Sequence, residues 1–301
     1  MPTIRSRVAP WLASRKPAAS GPVRALVHED TDALRALVAR DPVANVFIDS
    51  LLTQGRSAVP SQPGAVILGF FDNFEHDGGE LAAACWVGSN VVPIEMTASQ
   101  SAYFGRWIAA NWRPHASIFG PAGAVLGMMA ELSAAGITAH EVRPSQPLLA
   151  IEGTSPFPAN RALTVSRSGQ FAEVLAAAAA MFEEEVGYSP FLGGEENYRR
   201  RVAWLINRGH SFSHCTSGGE VIFKADLGAV TIRATQIQGV WMNPRFRGRG
   251  LSNGYMAASV NLAQVLAPVT SLYVNDFNAR ARAVYAKVGF EQVGTFATVL
   301  F

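Results

Sequence analysis

The sequence predicts a mixed α/β fold built as two tandem halves. A strand-like run, a Gly/Arg turn and a helix-like run follow one another at residues 236–266. One order of elements (strand, two helices, three strands, helix, strand, helix) is legible twice along the 301 residues. Apolar residues make up 49% of the chain and charged ones 16%, enough for two cores of ordinary domain size and too apolar for general disorder.

The elements follow in order. Residues 1–21 read as a flexible basic arm carrying Arg5, Arg7, Arg15 and Lys16. A strand pattern covers 23–28, and Asp30 or Thr31 caps a helix that runs to Arg40. Asp41 as N-cap and Pro42 at the first helical position open a second helix through Leu52. Strands are expected at 64–72, 80–87 and 90–96, the first two joined by a polar Asp/Gly turn. A helix at 100–111, a strand at 117–119 and a helix at 124–134 complete the first half. Pro144 and Pro147, then the Thr-Ser-Pro-Phe-Pro stretch at 154–158, mark a connection. They place the boundary between Arg143 and Asn160, with halves at 22–150 and 160–301. The second half repeats the order: a strand at 162–166, helices at 169–185 and 195–208, and strands within 211–242. A helix at 253–266 and a strand at 270–276 come next. A helix capped by Asn278 and closed near Gly289 follows, then two strand-like pieces around Gly294.

Composition excludes several functions. The net charge of +2 is too small for a nucleic-acid binder by bulk electrostatics. No apolar run reaches the roughly 18–20 residues that span a bilayer, and the first ten residues lack the sustained apolar segment of a secretory signal. Cys85 and Cys215 are far apart and outside any Cys-x-x-Cys motif, which predicts free thiols and a cytoplasmic setting. His210 and His214 are four apart but the second lies in a strand-like run, so no metal site is expected of them.

The chemistry concentrates in Asn243-Pro-Arg-Phe-Arg-Gly-Arg-Gly-Leu-Ser252. A strand, a glycine turn and a helix N-terminus present unpaired N–H groups to an anion, and glycines let the backbone approach it. The run lacks the P-loop pattern and supplies only the first two glycines of a Rossmann turn. Arg245, Gly248 and Gly250 complete Arg-x-x-Gly-x-Gly. This resembles the coenzyme A signature of the GNAT acetyltransferase superfamily. A second signature of that family, Asn-x-x-Ala-x-x-x-Tyr-x-x-x-Gly-Phe, is matched by Asn278, Ala281, Tyr285, Gly289 and Phe290. The resemblance covers residues 161–301. The whole chain is similar to actinobacterial two-domain GNAT proteins whose first domain has no assigned role, on Asp41-Pro-Val-Ala-Asn45, Gln238-Gly-Val-Trp241 and the tail from Val274. The first half is then a degenerate GNAT-like domain. Its strand-to-helix junction at 92–100 has no Arg-x-x-Gly-x-Gly, and Glu95 there repels a pyrophosphate.

The resemblance implies an acetyl-CoA-dependent N-acetyltransferase that transfers acetyl directly to a primary amine in a ternary complex. It implies two tandem acyltransferase-type domains, each a central mixed sheet with a splayed strand pair, and a catalytic C-terminal half. Acetyl-CoA is expected as co-substrate, with no metal. The implied cofactor site is Arg245, Arg247, Gly248, Arg249, Gly250, Leu251 and Ser252 for the pyrophosphate, with the backbone of Val240 and Met242 and the side chain of Asn278 for the pantetheine arm. Gly239 suggests a bulge that helps splay the strand. Tyr285 matches the general acid, since a phenol with a pKa near 10 holds its proton above a thiol. The base stays open. Gln236 and Gln238 stand where many relatives carry a strand Glu, leaving Glu183, Glu184, Glu185, His210 and His214 as candidates. Glu184, Glu185 and Tyr188 lie at the loop that closes the acceptor site in relatives, and an acidic loop suits a cationic amine. The acceptor is a small-molecule amine or, alternatively, a protein Lys or N-terminus; neither nucleic acid nor membrane is expected as a partner. A second class of function is an acyl-CoA-binding or sensing protein that has lost catalysis.

Overall fold

A computed structural model describes residues 21–72, 79–192 and 194–301. Residues 1–20 of the basic arm, most of the Asp/Gly turn after residue 72 and Gly193 lie outside the described residues.

The first half runs β1 (Val23–Ala25), α1 (Thr31–Val38), α2 (Val46–Gly55), β2 (Val66–Asp72), β3 (Glu80–Val87), β4 (Asn90–Ile94), α3 (Ala98–Ala110), β5 (Ser117–Pro121), α4 (Ala122–Ala134) and β6 (Glu141–Glu152). The second runs β7 (Thr164–Val165), α5 (Phe171–Val186), α6 (Glu195–Asn207), β8 (Ser211–Cys215), β9 (Val221–Val230), β10 (Ala234–Met242), α7 (Ser252–Ala263), β11 (Val269–Tyr273), α8 (Ala279–Val288) and β12 (Glu291–Leu300). The repeat of element order holds throughout.

All the strands among the described residues join one mixed sheet in the order β1-β2-β3-β4-β5-β12-β6-β11-β10-β9-β8-β7. That order is a mirror about the β12–β6 pair, and the last strand of each half has crossed into the other. β12 pairs antiparallel with β5 on one side and β6 on the other. β6 in turn pairs with β11. Side chains follow the strands. Ala297 and Val299 of β12 sit in the first-half core with Phe104, Ile108, Val125 and Met128. Leu149 and Ile151 of β6 sit in the second-half core with Phe223, Met256, Tyr285 and Phe290.

This corrects the reading of 144–147 as a connection. Residues 146–151 are buried without alternation, as in a strand covered on both faces. Pro144 is tolerated because the β6–β12 register slips between Phe296 and Thr298, putting one extra β6 residue there. Pro147 lies just past the last β6–β11 pair, Leu148↔Tyr273. The true connection, residues 153–163, is tied down. Ser155 Oγ donates to the Val288 carbonyl (2.7 Å) and the Asn160 amide to the Gly254 carbonyl (2.8 Å).

Three boundaries move for local reasons. The Asp41 carboxylate accepts from the amides of Val43 and Ala44, closing a turn, so α2 starts only after Asn45. Asp30 is drawn off to Arg24 (2.7 Å) and the Val27 amide, and makes no helix cap. The tail is one strand with a bulge at Gly294, not two pieces. Asn278 caps α8 as expected, accepting from the Ala281 amide at 3.1 Å.

The halves also meet at α2. Val46 packs on Ala229 and Ala234, and Arg233 pairs with Asp49 at 2.9 Å, bracing the β9–β10 hairpin from the first half. Among the described residues no helix is long and apolar enough to cross a membrane.

Gly289 ends α8 with φ +104°, and a Cβ there would stand 2.8 Å from Cδ of Pro156. Gly289→Ala is expected to cost on the order of 2 kcal/mol, from backbone strain plus the clash with the docked connection. Denaturant unfolding measures it; an unchanged midpoint would show that the connection is not packed as described.

Candidate active site

β10 and β11 run parallel and pair only at Ala234↔Val269, Thr235↔Thr270 and Gln236↔Ser271. Beyond Gln236, β10 keeps only its partner β9, and a gap opens toward the strand ends. Gly239 sits in this free stretch with φ +59°, where the β9–β10 register slips between Gln238 and Trp241. Neither Gly239 nor Val240 has a ladder partner on either side.

The Gly/Arg turn follows β10. Asn243 anchors it: its Oδ1 accepts from the Arg245 amide at 3.0 Å, while its Nδ2 donates to Glu220 and to the Val221 carbonyl. Gly248 and Gly250 have φ of +75° and +72°, and nothing lies within 4 Å of a Cβ built on either, so their backbone faces open space. Leu251 precedes α7 without a side-chain cap, and the first turn of that helix is free of acidic residues. Uncapped N–H groups with positive dipole ends form an anion seat. Ser252 opens the helix, and the Arg249 guanidinium lies 5.4 Å from the Phe246 ring centroid.

The other two arginines of the turn are compensated by carboxylates. Arg245 forks onto Glu220 at 3.0 and 3.1 Å. Arg247 donates through Nε to the Met242 carbonyl (2.8 Å) and through Nη2 to Glu184 (2.6 Å). Glu184 also accepts from Trp241 Nε1 at 3.1 Å. This residue, placed with the acceptor loop by sequence, therefore sits at the turn.

The corresponding junction of the first half is closed to an anion. Thr97 and Gln100 form a capping box on α3. Glu95, at φ +49°, accepts from Asn45 Nδ2 at 2.8 Å.

Tyr285 of α8 is 7% exposed and meets Phe290 edge-on with centroids 5.9 Å apart. Burial, then the negative charge of Glu185, pushes its hydroxyl up to about 12. The same two causes hold Tyr273 of β11 at about 12. Glu185 is thus near enough to both phenols for its charge to act on them, and it lies 3.8 Å from Arg143 of β6. Arg143 is held by Glu141 at 2.9 Å. Gln146, also on β6, donates to Asn275 at 2.9 Å.

The structure brings Gly239, Val240, Met242 and the 245–252 turn together on one strand and its exit. Asn278 is exposed, with its Oδ1 spent on the cap of α8. Gln236 is buried, and Gln238 lies across Gly228 of β9. Tyr188 is 55% exposed and packs edge-on to Phe182. The candidate bases His210 and His214 point elsewhere, the first against Trp204 and the second sharing a 2.6 Å hydrogen bond with the Tyr255 hydroxyl. Among the described residues no group of three His, Cys, Asp or Glu could hold a metal. Sequence reasoning missed Arg143, hidden in a stretch taken for a boundary. It also missed Glu220 and the pair Lys224 and Asp226, whose signal was two charges two apart in the apolar run 221–230.

The profile of the Acetyltransferase (GNAT) family matches residues 178–290. The chain carries a GNAT-family domain. Residues 68–174 match a Domain of unknown function (DUF4081) that runs through β6 into α5. No protein of curated function matches the sequence. A Drosophila protein superposes with a TM-score of 0.63 at 12% identity, over 94% of this chain and 99% of its own. A GCN5-related N-acetyltransferase from Sphaerobacter thermophilus gives 0.57 at 15%, over 92% and 94%. A GNAT-family acetyltransferase from Colwellia psychrerythraea gives 0.55 at 14%, over 93% and 99%. Each likeness extends over both halves of the GNAT-bearing chain and concerns the fold.

The Glu184–Arg247 contact competes with any anion at the turn. Both side chains are near 40% exposed (44% and 39%), so the pair is worth about 0.5–1 kcal/mol. Glu184→Gln should then tighten pyrophosphate binding by about two- to fivefold. Calorimetric titration with pyrophosphate checks this, and equal or weaker binding would place the anion away from Arg247.

Proposed function

We propose that this chain is an acetyl-CoA-dependent N-acetyltransferase whose C-terminal half carries out the chemistry. The observation that carries the reading is the open gap between β10 and β11, ending in an uncapped, glycine-lined helix N-terminus at 247–252. The residues present fit a nucleotide-linked thioester, because space, free backbone polar groups and positive charge coincide there.

Acetyl-CoA, when bound, supplies an activated acetyl thioester. The chain's part is to hold it and to manage two protons. Backbone amides of 247–252 hold the pyrophosphate at Gly248 and Gly250, with Leu251 and Ser252 opening α7. Arg245, Arg247 and Arg249 add charge. The backbone of Val240 and Met242 lines the arm, and the Asn278 side-chain amide keeps a donor for it. Tyr285 keeps its proton far above neutral pH, since its hydroxyl stands at about 12. It is therefore a phenol, able to donate to the departing sulfur, across the neutral range.

The acceptor side is acidic. Glu185, with a side chain 56% exposed, lies near enough to Tyr285 for its charge to act on the phenol and is steadied by Arg143. A carboxylate there attracts an ammonium and can take its proton through a water. That supports a primary amine, in a small molecule or on a protein, as acceptor, without nucleic acid or membrane. β10 offers Gln236 and Gln238 in place of a carboxylate, which is what favours the second reading, an acyl-CoA-binding protein without turnover. A cytoplasmic location fits the two free cysteines, Cys85 and Cys215.

Titration with acetyl-CoA is expected to show one site per chain, because only the second half keeps an open turn. Gly248→Asp tests the seat. Aspartate tolerates φ +75°, and the site is open, so the fold survives. A carboxylate placed there should weaken acetyl-CoA binding on the order of 100-fold; unchanged affinity would move the pyrophosphate elsewhere. Tyr285→Phe should leave binding intact and lower turnover by about 10²–10⁴. Full turnover in that variant would remove Tyr285 from the mechanism.

A further inference from the structure

Under the bend in β10 lies a charged pair that the function just proposed does not use. Lys224 and Asp226 alternate on β9, so both point to one face, where Met181 of α5 comes within 3.3 Å of a Cβ built on Gly239. Lys224 is wholly buried (0% exposed) and Asp226 is 7% exposed. The Lys224 Nζ donates to Asp226 Oδ2 at 2.6 Å and to the Gly239 carbonyl at 3.0 Å. A buried ion pair is rarely the most stable filling for a core, since apolar residues of similar volume do as well or better. What distinguishes this pair is its third partner, the carbonyl at the apex of the bulge.

That carbonyl belongs to the peptide joining Gly239 to Val240. The peptide is planar and trans, so its C=O and N–H point in opposite directions. Lys224 fixes the C=O toward its ammonium. The Val240 N–H is thereby turned away from the Lys224 ammonium, and Val240 has no ladder partner on β9 or β11. Glycine at 239 permits the φ of +59° that this orientation needs.

We propose that Lys224, held by Asp226, is a positioning residue that locks the Gly239–Val240 peptide so that the Val240 N–H faces the gap and polarises the acetyl carbonyl of the donor. The inference rests on the acetyltransferase reading. A donor fixed before the reaction is worth more than one that must reorient, because no reorganisation remains to be done in the transition state. The pair thus acts through the backbone and touches neither donor nor acceptor.

The test uses the full chain. Lys224→Met/Asp226→Leu removes both charges at once and avoids stranding a buried carboxylate. Should that variant not fold, Lys224→Gln, with a shorter donor, takes its place. Amide NMR of the ligand-free protein follows the Val240 N–H, and isotope-edited infrared spectra of bound, carbonyl-labelled acetyl-CoA follow the C=O stretch. The Val240 resonance is expected to move, and the stretch to return toward its value in free solution. Affinity for CoA should stay within about twofold, and kcat for an accepted amine should fall on the order of tenfold or more. A merely structural pair would leave the stretch unmoved. An unshifted Val240 resonance, or the same stretch in variant and wild type, overturns the proposal. Failure of the wild-type protein to bind acetyl-CoA overturns the acetyltransferase reading instead, and the Val240 resonance then decides the clamp alone.

Discussion

β6 and β12 lie side by side at the centre of the sheet, each with its other edge against the half of the chain it does not belong to. Neither half has a complete sheet without the strand it receives. Removing β12 would leave unpaired edges on both β5 and β6, and removing β6 would do the same to β11 and β12. Exposed edges of this kind are costly and invite association. The exchange therefore ties the first half to the second by backbone hydrogen bonds and by apolar side chains, Leu149 and Ile151 in one core and Ala297 and Val299 in the other. It also gives the first half a part in the site, because β6 is the strand that runs beside β11. Arg143 reaches Glu185, and Gln146 reaches Asn275, only because the strand that carries them has crossed over.

On that frame the site is assembled from one departure from regular pairing and the charges around it. β10 leaves β11 after Gln236 and bends at Gly239, so backbone groups that a sheet would normally consume are left over. Buried backbone polar groups must find partners, and here Lys224 satisfies one of them from below. The turn beyond is rich in arginine, yet Arg245 and Arg247 are already paired with Glu220 and Glu184. An anion arriving there meets backbone amides and a helix dipole first, with the arginines exchanging carboxylate for ligand. Glu184 ends α5 beside Glu185, so the turn and the acidic face near Tyr285 are joined by a single helix terminus.

Much of this was legible in the sequence, because local signals and tertiary structure agree at the Gly/Arg turn and along α8. Gly248, Gly250, Asn278, Tyr285 and Gly289 occupy positions set by turn and helix-end geometry, and such requirements are written in residue type and spacing. The element order of both halves was legible for the same reason. The strand exchange was not. Pairing between strands far apart in sequence leaves no local mark, and the two prolines of β6 pointed the other way, toward a break. Lys224 and Asp226 were visible as charges in an apolar strand, but their partner is a carbonyl fifteen residues downstream, which only the bulge brings into reach. Glu184 and Glu185 were read as one acidic run. Adjacent residues on a helix point about 100° apart, and that alone sends one to the turn and the other toward the phenols.

The two halves share a fold but differ where it matters, and the difference is in how a helix N-terminus is satisfied. α3 and α7 occupy equivalent places, each after the third strand of a hairpin series. At α3 the orphan amides are met internally, by Thr97 and Gln100, with the chain entering through a Glu95 held by Asn45. At α7 no side chain caps the helix, and two glycines in the left-handed region hold the entering backbone clear of other atoms. Free amides cost stability unless water or a ligand takes them. A chain that caps one such terminus and leaves its repeat open has confined that cost to the half where an anion can repay it. The first half sets β6 beside the second half's gap, and α2 against the hairpin that carries the bulge.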